Sequence, residues 1–284
     1  MVQRPGRARQ AALADLIADP PLPADWFTAR GDGAAFHARA GLVRPQPAIA
    51  VMLRQAKLML ESPVETLEHA GDGWVLRAPD QRALLKADAV VLACGAALAR
   101  FAPAQFLPLQ TSFGQIEWGR GPAPEHALTE GSYVAPFSGG VLFGATFDKS
   151  PPAPDEARRR NLAALARLAP AIAAGVDEAT LRSRASARAT TPDRAPVAGL
   201  LPDAEAWRAR FAGSAQSAAA ADPAPAHRGV YVLGGLGARG LTLAPFLAER
   251  IAAEMFGEPQ ALSRAALEAI HPARFLVRAQ RRGG

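Results

Sequence analysis

The stretch from Gly229 to Ala252, GVYVLGGLGARGLTLAPFLAERIA, constrains the fold more than any other part of the chain. A short apolar strand runs into a glycine-rich turn and then into an amphipathic helix, which presents bare backbone to an anionic or planar ligand. Gly235, Gly237 and Gly240 carry the G-x-G-x-x-G spacing of dinucleotide-binding turns, in which backbone N–H groups approach a pyrophosphate at a helix N-terminus. A full fingerprint opens a βαβ unit of roughly 30 residues with an acidic residue about 20 positions on. Here the helix runs instead to Pro259 and a second helical stretch, with no following parallel strand. Two readings stand: a late strand-to-helix turn touching a ligand bound mainly elsewhere, or a tight connection that binds nothing.

The rest of the chain reads as mixed α and β. A helix is expected at Gln10 to Ala18, stopped by the prolines of Asp19 to Pro23, and a short one at Ala48 to Gln55, with a strand at Lys57 to Glu65. Gly73 to Ala78 and Ala83 to Lys86 flank Asp80-Gln81-Arg82 as a hairpin. Asp88 to Cys94 is a continuous apolar run, the pattern of a strand buried on both faces and ended by Gly95, with Cys94 a small buried residue. Thr111 to Trp118, Tyr133 to Ala135 and Gly140 to Phe147 predict an antiparallel sheet. Asp155 to Leu168 predicts a helix with Leu162, Leu165 and Leu168 on one face, and Leu243, Phe246, Leu247 and Ile251 form the core stripe of the late helix. Ser214 to Ala226 is low in complexity and is expected to be a mobile loop, since it offers almost nothing to bury.

With 284 residues, 49% of them hydrophobic, the chain has enough material for a substantial core or two modest domains. Its net charge of +6 favours polyanionic partners. Only Lys57, Lys86 and Lys149 among the 32 basic residues are lysines, however, so an arginine-rich genome explains the basicity as readily as nucleic acid does. The single Cys94 excludes an internal disulfide, and five scattered histidines give no zinc-ligand spacing, so no metal is expected. No apolar run of membrane-spanning length and no secretory signal is visible, so the expected location is the cytoplasm, with no membrane contact.

Five segments, in order, resemble the flavoproteins of the D-amino-acid-oxidase (DAO) type, and most closely their branch in tRNA 5-methylaminomethyl-2-thiouridine biosynthesis. They are DAVVLACGAALARF from Asp88, LPLQTSFGQIEW from Leu107, YVAPFSGGVLFGATFDK from Tyr133, SRASARATTPDRAPVAG from Ser183, and GGLGARGLTLAP continued by HPARFLVRAQRR from His271. The resemblance spans roughly residues 36 to 282 and implies an α/β (α+β) fold: an incomplete FAD-binding domain (41–105 and 190–284) with a mainly antiparallel β-sheet substrate domain (1–40 and 106–189). Members of the family begin the flavin domain with a βαβ unit whose G-x-G-x-x-G binds the FAD pyrophosphate, and no such spacing occurs before Gly95. The expectation is therefore a C-terminal piece that begins inside the substrate domain, from a mis-called start, a broken gene or a split protein, with an upstream flavin-binding and methyltransferase segment encoded separately.

The resemblance also implies roles. Arg188, in the family's Arg-x-x-Thr-x-Asp-x-x-Pro segment with Thr191, Asp193 and Pro196, matches the arginine whose planar fork holds a substrate carboxylate and so orients the adjacent CH₂. Tyr133 either closes the substrate pocket or is a core tyrosine. Gly235, Leu236, Gly237, Ala238, Arg239, Gly240, Leu241 and Thr242 match the loop that meets the flavin ring. Arg239 is open between flavin and substrate phosphate. Val64 matches the backbone position beside the adenine, and Ala93, Cys94 and Gly95 the turn beside the nucleotide. The implied reaction is FAD-dependent oxidation of the carboxymethylaminomethyl group of a tRNA wobble uridine, releasing glyoxylate and leaving aminomethyl-uridine. The alternatives are an oxidase of free glycine-like amines and an inactive fragment. For the tRNA partner, Arg274, Arg278, Arg281 and Arg282, with Arg250 and Arg264 nearby, form the expected basic face.

Overall fold

The computed structural model describes residues 1–6, 10–212 and 224–282. In chain order the elements are β1 (Val2–Gln3), α1 (Gln10–Ala18), β2 (Phe27–Ala29), β3 (Ala35–His37), α2 (Pro45–Met52), β4 (Thr66–Ala70), β5 (Gly73–Arg77), β6 (Ala83–Ala87) and β7 (Val90–Leu92). They continue with β8 (Gln110–Gly119), β9 (Leu128–Glu130), β10 (Ser132–Phe137), β11 (Gly140–Gly144), α3 (Pro154–Leu168), α4 (Pro170–Ala173), β12 (Arg182–Thr190), β13 (Val197–Pro202) and α5 (Ala204–Arg210). Last come β14 (Ala226–Gly234), α6 (Gly240–Phe256), α7 (Arg264–Ile270) and α8 (Arg274–Arg281). Of the expected loop at Ser214 to Ala226, residues 214–223 lie outside the described residues, and Ala226 already belongs to β14.

The chain divides into two compact units. One comprises Met1–Val51 and Ser112–Ala187, the other Met52–Thr111 and Arg188–Gly284. The expected first boundary is at 40/41; the structure keeps residues 41–51, with all but the last residue of α2, in the first unit.

The first unit is built on a sheet of order β12-β8-β11-β10-β9-β1-β3-β2. Its strands are antiparallel at β8–β11, β11–β10 and β10–β9, and parallel at β1–β9. Alternation along β10 and β11 sends Val134, Val141 and Phe143 to one face, where Leu165 and Leu168 of α3 cover them. Each such fully buried apolar side chain contributes about 1.5–3 kcal/mol. The same interface holds a buried polar cluster: Gln115 Nε2 donates to Glu117 Oε1 at 2.7 Å, Asn161 Nδ2 donates to the Gln115 carbonyl at 2.9 Å, and Ser183 donates to Glu117 Oε2. Arg158 of α3 faces the same carboxylate at 3.4 Å, so Glu117 is buried but paired.

The second unit has two sheets, β4-β5-β6 and β13-β14-β7. In the latter, β14 runs antiparallel to β13 and parallel to β7, with Val230, Tyr231 and Val232 opposite Val90, Val91 and Leu92. One face packs Leu92, Val197, Val230 and Val232 against Trp74, Leu98 and Phe101. The other packs Ala198, Tyr231 and Leu233 against Leu247 and Ile251 of α6 and Ile270 of α7. Trp74 Nε1 donates to the Arg228 carbonyl at 2.8 Å, fixing the hairpin sheet to the start of β14.

Helices α1 and α3 and the β5–β6 hairpin stand where expected. Several expectations are corrected. The short helix is Pro45–Met52, not Ala48 to Gln55, because Pro45 and Pro47 sit in a first turn, where a missing N–H breaks no helical bond. Lys57 to Glu65 is not a strand: Pro63 removes a donor, Glu61 takes a positive φ of 53°, and the strand starts at Thr66. The run at Asp88 to Cys94 yields a three-residue edge strand with Val91 43% exposed, and Cys94 is exposed beyond it. A continuous apolar run does not distinguish a central strand from an edge strand with an open outer face. Finally β11 stops at Gly144, leaving Phe147 exposed, and Phe246 lies outside the buried stripe of α6.

Candidate functional site

Three segments of the second unit meet at one edge of its β13-β14-β7 sheet. The parallel strands β14 and β7 end together, β14 passing into Gly235–Gly240 and β7 into Ala93, Cys94 and Gly95. Strand β13 begins there, with Val197 opposite Gly234, so residues 191–196 arrive at the same edge. The carboxyl edge of parallel strands is where open α/β sheets bind ligands, because the connecting loops and helix N-termini converge on it.

The turn requires its glycines for different reasons. Gly235 takes a φ of +64°, and a Cβ there would stand 2.9 Å from Thr191 Cγ2, so the backbone passes directly against the 191–196 segment. Gly237 also has a positive φ, +56°, whereas a Cβ on Gly240 would meet open space. Leu236 forms an isolated antiparallel bridge with Thr190, which ties the end of β12 to the turn. A 3₁₀ turn at Gly237–Arg239 leads into α6, whose N-terminus has no side-chain cap. Its first-turn N–H groups lack intrahelical partners and carry the positive end of the helix dipole.

Arg188 lies on β12 two residues before Thr190, partly buried, with Ala189 between them buried. Thr191 and Asp193 of the same motif are structural. The Thr191 hydroxyl lies 2.6 Å from the Ala195 carbonyl and 2.8 Å from Asp193 Oδ1, and Ala195 N–H donates to Asp193 at 3.1 Å. Arg274 of α8 grips the Asp193 carboxylate with Nε at 3.0 Å and Nη2 at 3.2 Å, Arg278 donates to it as well, and Arg274 Nη2 reaches the Ala195 carbonyl at 3.0 Å. Burial alone would raise the Asp193 carboxyl, but these bonds from Arg274, Arg278, Thr191 and Ala195 outweigh it and hold the group well below the usual carboxylate range. The motif thus clamps the segment that leads from Arg188 into the sheet.

Arg239, left open between flavin and substrate in the sequence, donates through Nη2 to the Arg194 carbonyl at 2.6 Å, on a residue with a φ of +61°. Ala238, Arg239, Leu241 and Thr242 are exposed along the turn. Ala93, Cys94 and Gly95 are exposed, and Gly95 has a φ of +58° with open space on its Cβ side. Val64 is partly buried against the core that contains Leu92 and Leu98. Tyr133 belongs to the first unit, on β10 between Thr129 and Gly144, partly buried.

The expected arginine face is corrected. Arg274 is 8% exposed and committed to Asp193, and Arg250 is 7% exposed, donating to Glu254 Oε2 at 2.6 Å and to the Ala198 carbonyl at 3.3 Å. Neither faces outward. Arg264 is exposed and pairs with Glu268, and Arg278, Arg281 and Arg282 are exposed on α8 and at its end, Arg278 with its guanidinium turned to Asp193. Sequence reading also missed His271, which accepts from Ala273 N–H through Nδ1 at 3.1 Å; burial and the charges of Arg250 and Arg274 push its pKa down to about 4. The Arg250/Glu254 spacing of four residues was a visible cue for that pair. Nothing local marked Asp193 as the partner of Arg274, 81 residues away.

Comparison with known proteins places these observations. The family model described as FAD dependent oxidoreductase (DAO) matches residues 7–254. The tRNA 5-methylaminomethyl-2-thiouridine biosynthesis bifunctional protein MnmC of Caulobacter sp. is 41% identical over 224 residues, 78% of this chain and 33% of that protein. Its namesake in Aromatoleum aromaticum is 36% identical over 225 residues, covering 77% and 34%. The chain therefore spans about a third of the length of these curated relatives. Among solved structures, glycine oxidase from Geobacillus kaustophilus superposes with a TM-score of 0.60 at 21% identity, over 82% of this chain and 58% of that one. Fructosyl amine: oxygen oxidoreductase (Amadoriase I) from Aspergillus fumigatus gives 0.62 at 17% identity, over 92% and 62%. At those identities the likeness is one of fold.

Proposed function

The chain belongs to the DAO family of FAD-dependent oxidoreductases, and on that premise we propose that it acts on the carboxymethylaminomethyl group of a tRNA wobble uridine, removing the carboxymethyl part as glyoxylate and leaving aminomethyl-uridine. The observation that carries this reading is the Thr190–Leu236 bridge, which joins the end of β12, two residues past Arg188, to the glycine turn, all of residues 188–190 and 236 belonging to the second unit.

The turn fits the family's cofactor. It combines two positive-φ glycines, open space at Gly240 and an uncapped helix N-terminus, a set that suits a planar ring bearing negative charge. Gly235 to Thr242 would hold the ring, and Val64 with Ala93, Cys94 and Gly95 the nucleotide end, which makes residues 52–111 and 188–284 the flavin-binding portion and the other unit the substrate portion. FAD, when bound, would supply the two-electron oxidant for the glycine-like CH₂–NH group, whose C=N product water would hydrolyse to the amine and glyoxylate. Arg188 binds the substrate carboxylate by two charge-assisted hydrogen bonds and so fixes the direction of the adjacent CH₂. The clamp of Asp193 by Arg274 and Arg278 holds the strand end that carries it.

The test is direct. With FAD in excess, the chain is expected to convert tRNA bearing carboxymethylaminomethyl-uridine to the aminomethyl form, read by mass spectrometry of the digested nucleosides, with one glyoxylate released per nucleoside. Oxidation of free glycine or sarcosine with the tRNA left unchanged would overturn the reading.

A further inference from the structure

The first unit contains a cleft of about 590 Å³ lined by Trp118, Arg120, Phe137, Thr180 and Arg182 among others, within the range of small-molecule pockets, roughly 300–1,000 Å³. It sits at the end of the sheet where β8 finishes, β12 starts and β10 turns into β11. Strand register explains its wall. Trp118 pairs with Leu142, which pairs with Ala135, so Trp118, Ala135 and Phe137 share the sheet face opposite Val134, Val141 and α3. The two rings lie with centroids 6.3 Å apart, tilted by 55°, and Phe137 is 44% exposed at the hairpin tip. The opposite wall is rigid: Arg120 N–H donates to Thr180 Oγ1 at 3.0 Å, Asp177 N–H donates to the Arg120 carbonyl at 3.0 Å, and the Asp177 carboxylate turns back to cap Ala179 N–H.

The charge of the cleft is one-sided. Arg120 and Arg182 line it, Arg44 reaches its rim by donating to Ser138 Oγ at 2.7 Å, and no carboxylate lines it. Arg120 and Arg182 have no carboxylate partner among the described residues. Glu117, next in sequence to Trp118, points the other way into the α3 interface. An accessible aromatic wall beside unneutralised guanidiniums matches one chemistry best, an unpaired base with its flanking phosphates, because the ring offers a stacking face and each arginine an anion fork. An acidic peptide would use the arginines but leave the aromatic wall without a partner.

We propose that this cleft is a stacking subsite for an unpaired nucleotide of single-stranded RNA, with Trp118 and Phe137 holding the base and Arg120 and Arg182 the adjoining phosphates. In its biological form the proposal rests on the tRNA reading above, a wobble nucleotide lying in an unpaired loop. The experiment is fluorescence anisotropy of a labelled tRNA and of a labelled hexauridylate, titrated with the wild-type chain, Trp118→Ala, Phe137→Ala and Arg120→Ala/Arg182→Ala, with circular dichroism to verify folding. Phe137 at the hairpin tip and the exposed Arg182 serve as variants that leave the core intact. Loss of either aromatic should weaken both ligands about tenfold to a hundredfold with the salt slope unchanged. The double arginine variant should also lower the slope of log K against log salt by about 1.4, two single-strand phosphates at about 0.7 each. If wild type binds tRNA and every folded variant binds it equally well, the cleft is overturned and the tRNA reading stands. If wild type ignores tRNA but binds hexauridylate through Trp118, the tRNA reading falls and the cleft stands. Quenching of Trp118 by an acidic peptide and not by hexauridylate overturns the nucleotide assignment.

Discussion

His271 and Arg188 show how far one side chain's role depends on its surroundings. Burial first, then the charges of Arg250 and Arg274, keep the His271 imidazole neutral down to about pH 4, against 6.5 when unfolded. Between those values the unfolded chain binds a proton that the folded one does not, so this stabilisation is complete above pH 6.5 and is lost as pH falls towards 4. Its size is on the order of 3 kcal/mol. Asp193 acts lower on the scale: its carboxylate is favoured in the fold, so its contribution is present above the ordinary 3.8 and disappears on further acidification. His271→Asn keeps an acceptor for Ala273 N–H and removes the titration. Urea midpoints of that variant are expected to stay flat from pH 7 to 4.5 while the wild type falls; parallel curves would show that another group is responsible. Arg188→Lys keeps the charge but not the fork, so in the flavin-loaded protein turnover should fall by about one to two orders of magnitude, the equivalent of about 1.5–3 kcal/mol. Unchanged kcat and KM would remove Arg188 from the site.

Among the elements, the turn between β14 and α6 joins the most demands in the fewest residues. Gly235 needs both a positive φ and closeness to Thr191, whereas Gly240 has a helical φ of −54° and open space. Two substitutions therefore separate folding from ligand contact. Gly235→Ala should destabilise the second unit by about 1–3 kcal/mol through strain and the 2.9 Å approach to Thr191, lowering the melting temperature. Gly240→Ala should change stability by less than about 0.5 kcal/mol yet weaken flavin binding, since the new methyl occupies the open side of the helix start. Unchanged flavin affinity in Gly240→Ala would mean that the openness at Gly240 is not functional. The edge strand β7 teaches a related lesson: its apolar run reads as central, yet Val91 is exposed because, among the described residues, β14 is its one neighbour in the sheet.

For the molecule as a whole, the 284 residues carry the segments proposed above for the flavin ring and the adenine, and the G-x-G-x-x-G spacing occurs in them only at Gly235 to Gly240. Phosphate neutralisation is a large share of dinucleotide affinity, so the purified chain is expected to bind FAD weakly in an absorbance titration; flavin retained stoichiometrically through purification would refute this. No helix among the described residues is long and apolar enough to cross a membrane. What the sequence determined by itself was local and ordered: the strand–turn–helix at Gly229 to Ala252, the β5–β6 hairpin, helices α1 and α3, and the succession of segments that marks the family. These follow from periodicity, proline placement and glycine spacing, which act within a few residues. Tertiary structure alone decided which charges lie inside. Arg250 and Arg274 have the composition of a surface arginine and became buried because Glu254, Asp193 and backbone carbonyls supply their hydrogen bonds. It likewise brought residues 93–95, 191–196 and 235–240 to one sheet edge, since strand pairing, not sequence proximity, determines which loops emerge together.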